Sequence, residues 1–138
     1  IEKNKSKDLT IITNLLRNIS DILLINKKFD EAESFLVKLS GYYEIQPPED
    51  DKLLESLLLN LSKIYEKEHN EEDSVDIYKR LLELYENKHG KNSKKYISVL
   101  NKMVTKLESM ADRAKLIDKL KLRLMANTYR NELEKLGK

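Results

Sequence analysis

The sequence predicts an all-α fold, a short helical solenoid, and three observations carry that prediction. Residues 11–45 reappear 42 residues later as residues 53–87, apolar residues recur at helical spacing, and glycine and proline are scarce. A fixed period between about 20 and 50 residues is typical of stacked repeats, in which one unit cannot bury its apolar face alone. Eight pairs are identical at this offset: Leu15/Leu57, Leu16/Leu58, Asn18/Asn60, Ser20/Ser62, Ile22/Ile64, Leu39/Leu81, Tyr43/Tyr85 and Glu44/Glu86.

Composition supports helices over strands and narrows the class of protein. The chain has 138 residues, about one domain, with three glycines and two adjacent prolines, too few for a turn-rich β architecture. It contains no cysteine, which excludes disulfides and thiolate metal sites and favours a reducing compartment, so we expect an intracellular, cytoplasmic protein. No apolar run approaches the roughly 18 residues of a membrane span, so we expect no membrane insertion. The chain begins at Ile1, and we expect it to be a fragment of a longer protein.

The first repeat unit, about residues 9–45, is expected to hold two helices. Helix one should begin near Ser6 or Asp8, either of which is a suitable N-cap. Its apolar stripe at i+3 and i+4 spacing contains Leu9, Ile12, Leu16, Ile19 and Leu23. Helix two should run from about Phe29 to Tyr43 and stop before the two prolines.

The second unit, about residues 51–88, repeats this plan. Asp50 or Asp51 should cap helix three, and His69-Asn70 should form the turn into helix four. Gly90 is expected to end helix four.

The third unit, about residues 93–136, should begin at the N-cap Ser93 and carry a stripe of Tyr96, Leu100, Met103 and Leu107. A turn around residues 109–112 should then lead into a long sixth helix. The inward side of that helix is less defined, because a stripe of Ile117, Leu120 and Leu124 is followed by a shifted one of Met125, Tyr129, Leu133 and Leu136.

Within each unit, side-chain sizes follow a recognisable order. Unit two has Leu58, Leu61, Ser62 and Tyr65 at offsets 0, +3, +4 and +7, then Ser74, Tyr78 and Leu81 at +16, +20 and +23. This pattern resembles the tetratricopeptide repeat, in which small residues lie where paired helices cross. The 42-residue period is similar to the long-helix variety found in kinesin light chains. The similarity covers residues 9–110 and decays in unit three, where Val104, Leu116 and Arg123 replace Ser62, Ser74 and Leu81.

The resemblance implies a right-handed α-solenoid of three antiparallel helix pairs, with the sixth helix either a repeat helix or a cap. A HEAT-like array, whose period reaches about 40–47 residues, is the main structural alternative. The small-residue positions of the first two units favour the tetratricopeptide interpretation.

Residues with catalytic or metal-binding chemistry do not converge in the sequence. The two histidines, His69 and His89, fall at the ends of different elements, and neither has a histidine partner at i+3 or i+4. No phosphate loop, dinucleotide fingerprint or nucleophile elbow is present. We therefore expect no enzymatic activity, no metal, no cofactor and no small-molecule substrate. The residues from Arg113 to Lys138 hold eight Lys or Arg against three acids, without the aromatics that stack on bases, so nucleic acid is a weaker expectation.

The candidate binding site is a row of polar residues on the first helix of each unit. Asn18 and Asn60 are equivalent, with Lys102 and the neighbouring Asn101 in unit three. The resemblance implies that asparagine here reaches the backbone of a bound peptide, since a carboxamide both donates and accepts hydrogen bonds. Arg17, Ser56, Lys63 and Ser98 should line the same groove. The family's carboxylate clamp is incomplete, because Asp21 and Ser98 stand where Asn and Lys are expected.

These residues predict a scaffold or adaptor module that binds a peptide segment or a partner helix of another protein in its concave groove. An acidic segment would suit the positive residues of that groove. A structural role, packing against its own longer chain or self-associating, is the alternative. A basic nucleic-acid surface is the second alternative.

Overall fold

The computed structural model describes residues 2–137, with side chains from Lys7 onward. The described chain is all-helical, as predicted. Its five helices are α1 (Glu2–Ile25), α2 (Phe29–Ile45), α3 (Asp51–Lys67), α4 (Glu71–His89) and α5 (Lys94–Lys135). α1 begins upstream of the predicted start at Ser6 or Asp8, and the side chain of Ser6 lies outside the described residues.

The predicted N-caps of α3 and α5 and the predicted end of α4 are confirmed. Asp50 accepts a hydrogen bond from the backbone N–H of Lys52 at the start of α3, and Ser93 accepts one from Tyr96 at the start of α5. Gly90 ends α4 with φ of 83°, a left-handed value that glycine adopts without a Cβ clash. Each polar cap satisfies a backbone N–H that the first helical turn would leave unpaired.

The turns after α1 and α3 have the same backbone geometry, 42 residues apart. The N–H of Lys28 bonds to the carbonyl of Leu23 at 2.9 Å, and the N–H of Asn70 bonds to that of Tyr65 at 2.9 Å. The residues before them, Lys27 and His69, have φ of 59° and 56°. This hydrogen bond across five residues, together with one left-handed residue inside the turn, is the Schellman motif. The sequence repeat is therefore also a repeat of backbone structure.

The third copy of this turn does not form, which corrects the prediction of a break at residues 109–112. α5 runs without interruption for 42 residues, so the separate sixth helix and the third helix pair are absent from the described chain. The residue equivalent to Lys27 and His69 is Ala111. The left-handed conformation costs any residue with a Cβ about 1–2 kcal/mol, Lys27 and His69 included, so what distinguishes Ala111 is the highest helix propensity of all residues. The helix therefore continues through Ala111.

The core forms where small residues let helices approach closely. Ser20, Ala32 and Ser74, all at the predicted small positions, are completely buried. The larger core side chains around them come mainly from α2, α3 and α4: Leu36, Leu39, Tyr43, Leu57, Leu58, Leu61, Ile64, Tyr65, Ile77, Tyr78, Leu81 and Tyr85.

Two predicted stripes differ from the observed burial. On α1, Leu16 and Leu23 pack against the core, but Ile19 is 38% exposed. On α5, Val99 and Met103 are buried, whereas the predicted Leu100 and Leu107 are exposed. α5 packs against α4, and in the described chain no sixth helix covers the predicted face with Leu100 and Leu107.

Each helix packs against the next one in the chain. Long side chains also connect each helix to the one after next, as in the pairs Arg80–Ser40, Lys95–Glu55 and Lys106–Glu66. Each of these three pairs is separated by 40 residues in sequence. α2 and α4, and likewise α3 and α5, therefore run in the same direction with a register close to the repeat period.

Neighbouring leucines on α3 give a direct test of this packing. Leu58 and Leu61 are 1% and 2% exposed, whereas Leu59 is 37% exposed. Leu58→Ala or Leu61→Ala should lower the free energy of unfolding by about 2–5 kcal/mol through lost burial and a cavity. Leu59→Ala is the matched control and should cost less than about 1 kcal/mol. Urea denaturation measures all three, and equal losses for Leu58→Ala and Leu59→Ala would contradict the burial pattern.

Candidate binding groove

A groove lies between α3 and α5, and we call it the α3–α5 groove. Its larger cavity has a volume of about 1020 Å³. α3 and α5 supply most of its walls, while Leu24 and Phe29 at the α1–α2 corner close one end. The remaining lining residues are Asn60, Ser62, Lys63, Ile64, Glu66, Lys67, Tyr78, Asn101, Lys102, Thr105, Lys106 and Ser109.

A second cavity of about 550 Å³ adjoins the first, since Asn60 and Lys63 line both. Its other lining residues are Lys52, Glu55, Ser56, Leu59, Lys88, His89 and Lys95. The two cavities together are lined by seven lysines and two acids, Glu55 and Glu66. The electrostatic character of the groove therefore depends on how those two carboxylates are engaged.

Glu66 is held by two donors from different helices. The Tyr78 hydroxyl donates to its Oε1 at 2.7 Å, and the Lys106 ammonium donates to its Oε2 at 2.9 Å. Burial by itself would raise the pKa of Glu66, but these hydrogen bonds outweigh it and hold the pKa below its ordinary value. Burial and the neighbouring Glu66 carboxylate raise the pKa of Tyr78 to about 12. Glu66 is thus a structural anion that joins α3, α4 and α5.

Glu55, at the other end of the groove, also pairs with a lysine of α5. Lys95 donates to its Oε1 at 3.2 Å. Burial, followed by the Glu55 carboxylate that its hydroxyl contacts, raises the pKa of Tyr85 to about 12. Both acids of the groove are therefore neutralised from within. Among the described residues, Lys63 and Lys102 have no ion-pair partner, which leaves their charge available to a ligand.

The closed end of the groove is apolar. Leu24, Phe29, Ile64 and Tyr78 contribute to the lining there. Lys67 places its ammonium 3.8 Å from the centroid of the Phe29 ring, a cation–π contact that fixes this lysine against the wall. This end can accept an apolar side chain next to positive charge.

The structure brings together most, but not all, of the sequence-predicted site residues. Asn60, Lys63, Asn101 and Lys102 line the larger cavity, and Ser56 lines the second. Ser98 is exposed on α5, between Lys95 and Lys102.

Arg17 and Asn18 lie on α1, outside the described lining of both cavities. Asn18 is exposed, and Arg17 lies beside the Tyr43 hydroxyl. Burial raises the pKa of Tyr43, and the charge of Arg17 opposes that rise.

The sequence analysis did not identify several lysines of the groove, nor the contact between Glu66 and Tyr78. Lys67 and Lys106 follow Lys63 and Lys102 by one helical turn, and this i+4 spacing could have placed them on the same face. The contact of Tyr78 with Glu66 had no such local signal, because the two residues belong to different helices.

Three carboxylates form a cluster where the start of α2 lies close to the end of α3. Asp30, Glu33 and Glu68 each place one oxygen within 4.8 Å of the others. Oxygen ligands of this type suit hard cations, although exposed acidic clusters are common without one. Burial first, then a hydrogen bond and repulsion from Glu68, raise the pKa of Glu33 to about 7.

Comparison of the chain with protein-family models, curated proteins and solved structures found no match. In the described part of the chain, no helix combines the length and apolarity needed to cross a membrane.

The Glu33 cluster predicts a pH dependence of stability. The folded-state pKa of about 7 lies above the ordinary value of 4.5, so the folded chain holds an extra proton between these pH values. Stability should therefore fall as pH rises from about 4.5 to 7 and stay lower above it. Glu33→Gln removes the charge and should raise stability at pH 8 by on the order of 1 kcal/mol after allowance for screening by water.

Thermal denaturation of Glu33→Gln and the unmodified chain at pH 5 and pH 8 measures this effect. Glu83→Gln, at an exposed carboxyl on α4, is the control. A Glu33→Gln advantage that is no larger at pH 8 than at pH 5 would contradict the raised pKa.

Proposed function

We propose that this chain is a non-enzymatic protein-interaction module that binds an acidic peptide segment in the α3–α5 groove. One observation carries the proposal: lysines line two adjoining cavities, and the two acids in that lining, Glu55 and Glu66, already form ion pairs within the chain. A positive surface of this kind attracts a negatively charged partner and sets its orientation.

A tetratricopeptide-like solenoid is the architecture that we propose for this module. The support is the repeated Schellman turn at a 42-residue offset, the buried small residues, and the parallel register of alternate helices. In such an array the first helices of successive units form the inner surface, and α3 and α5 are those helices here.

The groove dimensions favour an extended segment. Lys52 and Lys67 lie at its two ends on α3, about 22 Å apart at 1.5 Å per residue. An extended chain of about seven residues covers this distance at 3.3 Å per residue. Asn60 and Asn101 supply carboxamides that can bond to peptide N–H and C=O groups, whereas the apolar end accepts one hydrophobic side chain.

A peptide-display selection against the immobilised chain tests the proposal. Enriched peptides should carry several acidic residues and one large apolar residue. Asn60→Ala should weaken the best peptide by more than about 1 kcal/mol, through loss of hydrogen bonds, without changing thermal stability. Asn87→Ala, on the exposed side of α4, is the matched control and should bind normally.

Two further variants locate the binding surface. Lys102→Ala should weaken the selected peptide, and Asn18→Ala tests whether the predicted row extends to α1. Normal binding by both Asn60→Ala and Lys102→Ala would contradict a site in the α3–α5 groove.

Nucleic acid is the competing ligand for a lysine-lined groove. Its binding weakens steeply with salt because counterions are released, by about 10³–10⁵ between 50 and 200 mM for 6–10 phosphate contacts. Titration of a labelled single-stranded oligonucleotide at both salt concentrations measures this. Tight, steeply salt-dependent binding that Lys102→Ala weakens would favour a nucleic-acid function over the peptide proposal.

A further inference from the structure

The second half of α5 extends away from the rest of the molecule, and we call residues 114–136 the arm. Arg113, just before the arm, forms an ion pair with Glu71 at the start of α4. Beyond it, every described residue of α5 is exposed. The arm therefore has no packing partner among the described residues.

The arm has two exposed apolar stripes: one near its start, with Leu116, Ile117, Leu120 and Leu124, and a longer one on the opposite side. The members of the longer stripe follow each other at spacings of three, four, four and three residues, and each is more than half exposed: Leu122, Met125, Tyr129, Leu133 and Leu136. These spacings place all five within a narrow stripe on one side of the helix. Contiguous apolar patches of this kind are rare on monomeric soluble proteins and mark interaction sites.

The longer stripe has the same spacing when it is read in either direction. A two-fold axis through Tyr129 places Leu122 opposite Leu136 and Met125 opposite Leu133 when two copies lie antiparallel. A two-fold interface requires a surface that is complementary to itself, and this stripe meets that requirement. We propose that the arm pairs with the arm of a second copy of this chain, in an antiparallel two-helix seam centred on Tyr129.

Charge on one side of the seam agrees with this occupant, whereas on the other side the two copies of Arg130 lie about 3 Å apart along the axis. In the proposed register, Glu132 of one copy lies about 7.5 Å along the axis from Lys121 of the partner subunit, within reach of their long side chains. Both residues flank the same side of the stripe, so the pair occurs twice by symmetry. Opposite charges at flanking positions set partner and orientation in coiled coils.

The buried area is sufficient for a specific, weak dimer. Two copies contribute ten large apolar side chains, and at about 100 Å² each they remove about 1,000 Å² from water. That is close to the lower bound of specific interfaces, so we expect a dissociation constant in the micromolar range.

The groove-bearing parts of the two copies stay apart in this register. Gly137 of the partner subunit lies beside Lys121, and Arg113 is eight residues further along α5, about 12 Å away. Among the described residues, the seam therefore involves only the arm, and no lining residue of either α3–α5 groove takes part in it.

Analytical ultracentrifugation over a concentration series tests the dimer. The unmodified chain should change from monomer to dimer in the micromolar range. Tyr129→Asp places two carboxylates on the axis and should raise the dissociation constant at least about tenfold. Asn127→Asp adds the same charge on the opposite face of the arm and should dimerise like the unmodified chain. Circular dichroism should show the same core unfolding transition for all three.

A charge exchange and a distance measurement test the register. Glu132→Lys and Lys121→Glu should each weaken the dimer, and the double variant should restore it. The chain has no cysteine, so Lys115→Cys can be spin-labelled alone. An antiparallel seam centred on Tyr129 separates the two labels by about 42 Å along the axis, whereas a parallel pair brings them side by side.

A monomer at every concentration, normal dimerisation of Tyr129→Asp, or a short label distance would each overturn the proposal. Monomers that bind anionic vesicles through the arm would overturn it as well. None of these outcomes bears on peptide binding in the α3–α5 groove, which Tyr129→Asp leaves intact.

Discussion

The architecture depends on where the backbone can take a left-handed conformation. Lys27 and His69 each adopt one and let the chain reverse through a Schellman turn. At the third equivalent position stands Ala111, which favours the helix. The same repeat therefore yields two helix pairs and then one uninterrupted helix.

This uninterrupted helix has two consequences. Its first half is a wall of the α3–α5 groove, fixed to α3 through Lys95–Glu55 and Lys106–Glu66. The ion pairs neutralise the two acids and leave the other lysines facing the groove. Its second half receives no packing from a sixth helix and presents its apolar stripes outward. The groove wall and the arm are thus two separate surfaces of the same helix, α5.

Local sequence signals predicted most of the fold. Caps at Asp50, Ser93 and Gly90 were readable because capping depends on residue type at a helix end. The break at residues 109–112 was predicted from the repeat alone, which gave too little weight to the helix propensity of Ala111. The exposure of Ile19 was also not predictable, because periodicity identifies an apolar face but not the helices available to cover it.

The candidate site was also predicted only in part. Asn60 and Lys102 could be found from repeat equivalence, since a parallel register places equivalent residues together, and Lys63 and Asn101 from their position near them on the same helices. The Tyr78–Glu66 contact depends on the three-dimensional approach of two helices, and no spacing rule in the sequence encodes it.

The continuity of α5 is the central claim, because both the groove wall and the arm rest on it. Spin labels on Ser98→Cys and Asn127→Cys, in chain diluted with unlabelled protein, measure it by pulsed electron resonance. A continuous helix separates the two positions by about 44 Å at 1.5 Å per residue. A distance of about 10 Å, the separation of two packed helices, would show that the chain turns back near Ala111 and would contradict the account.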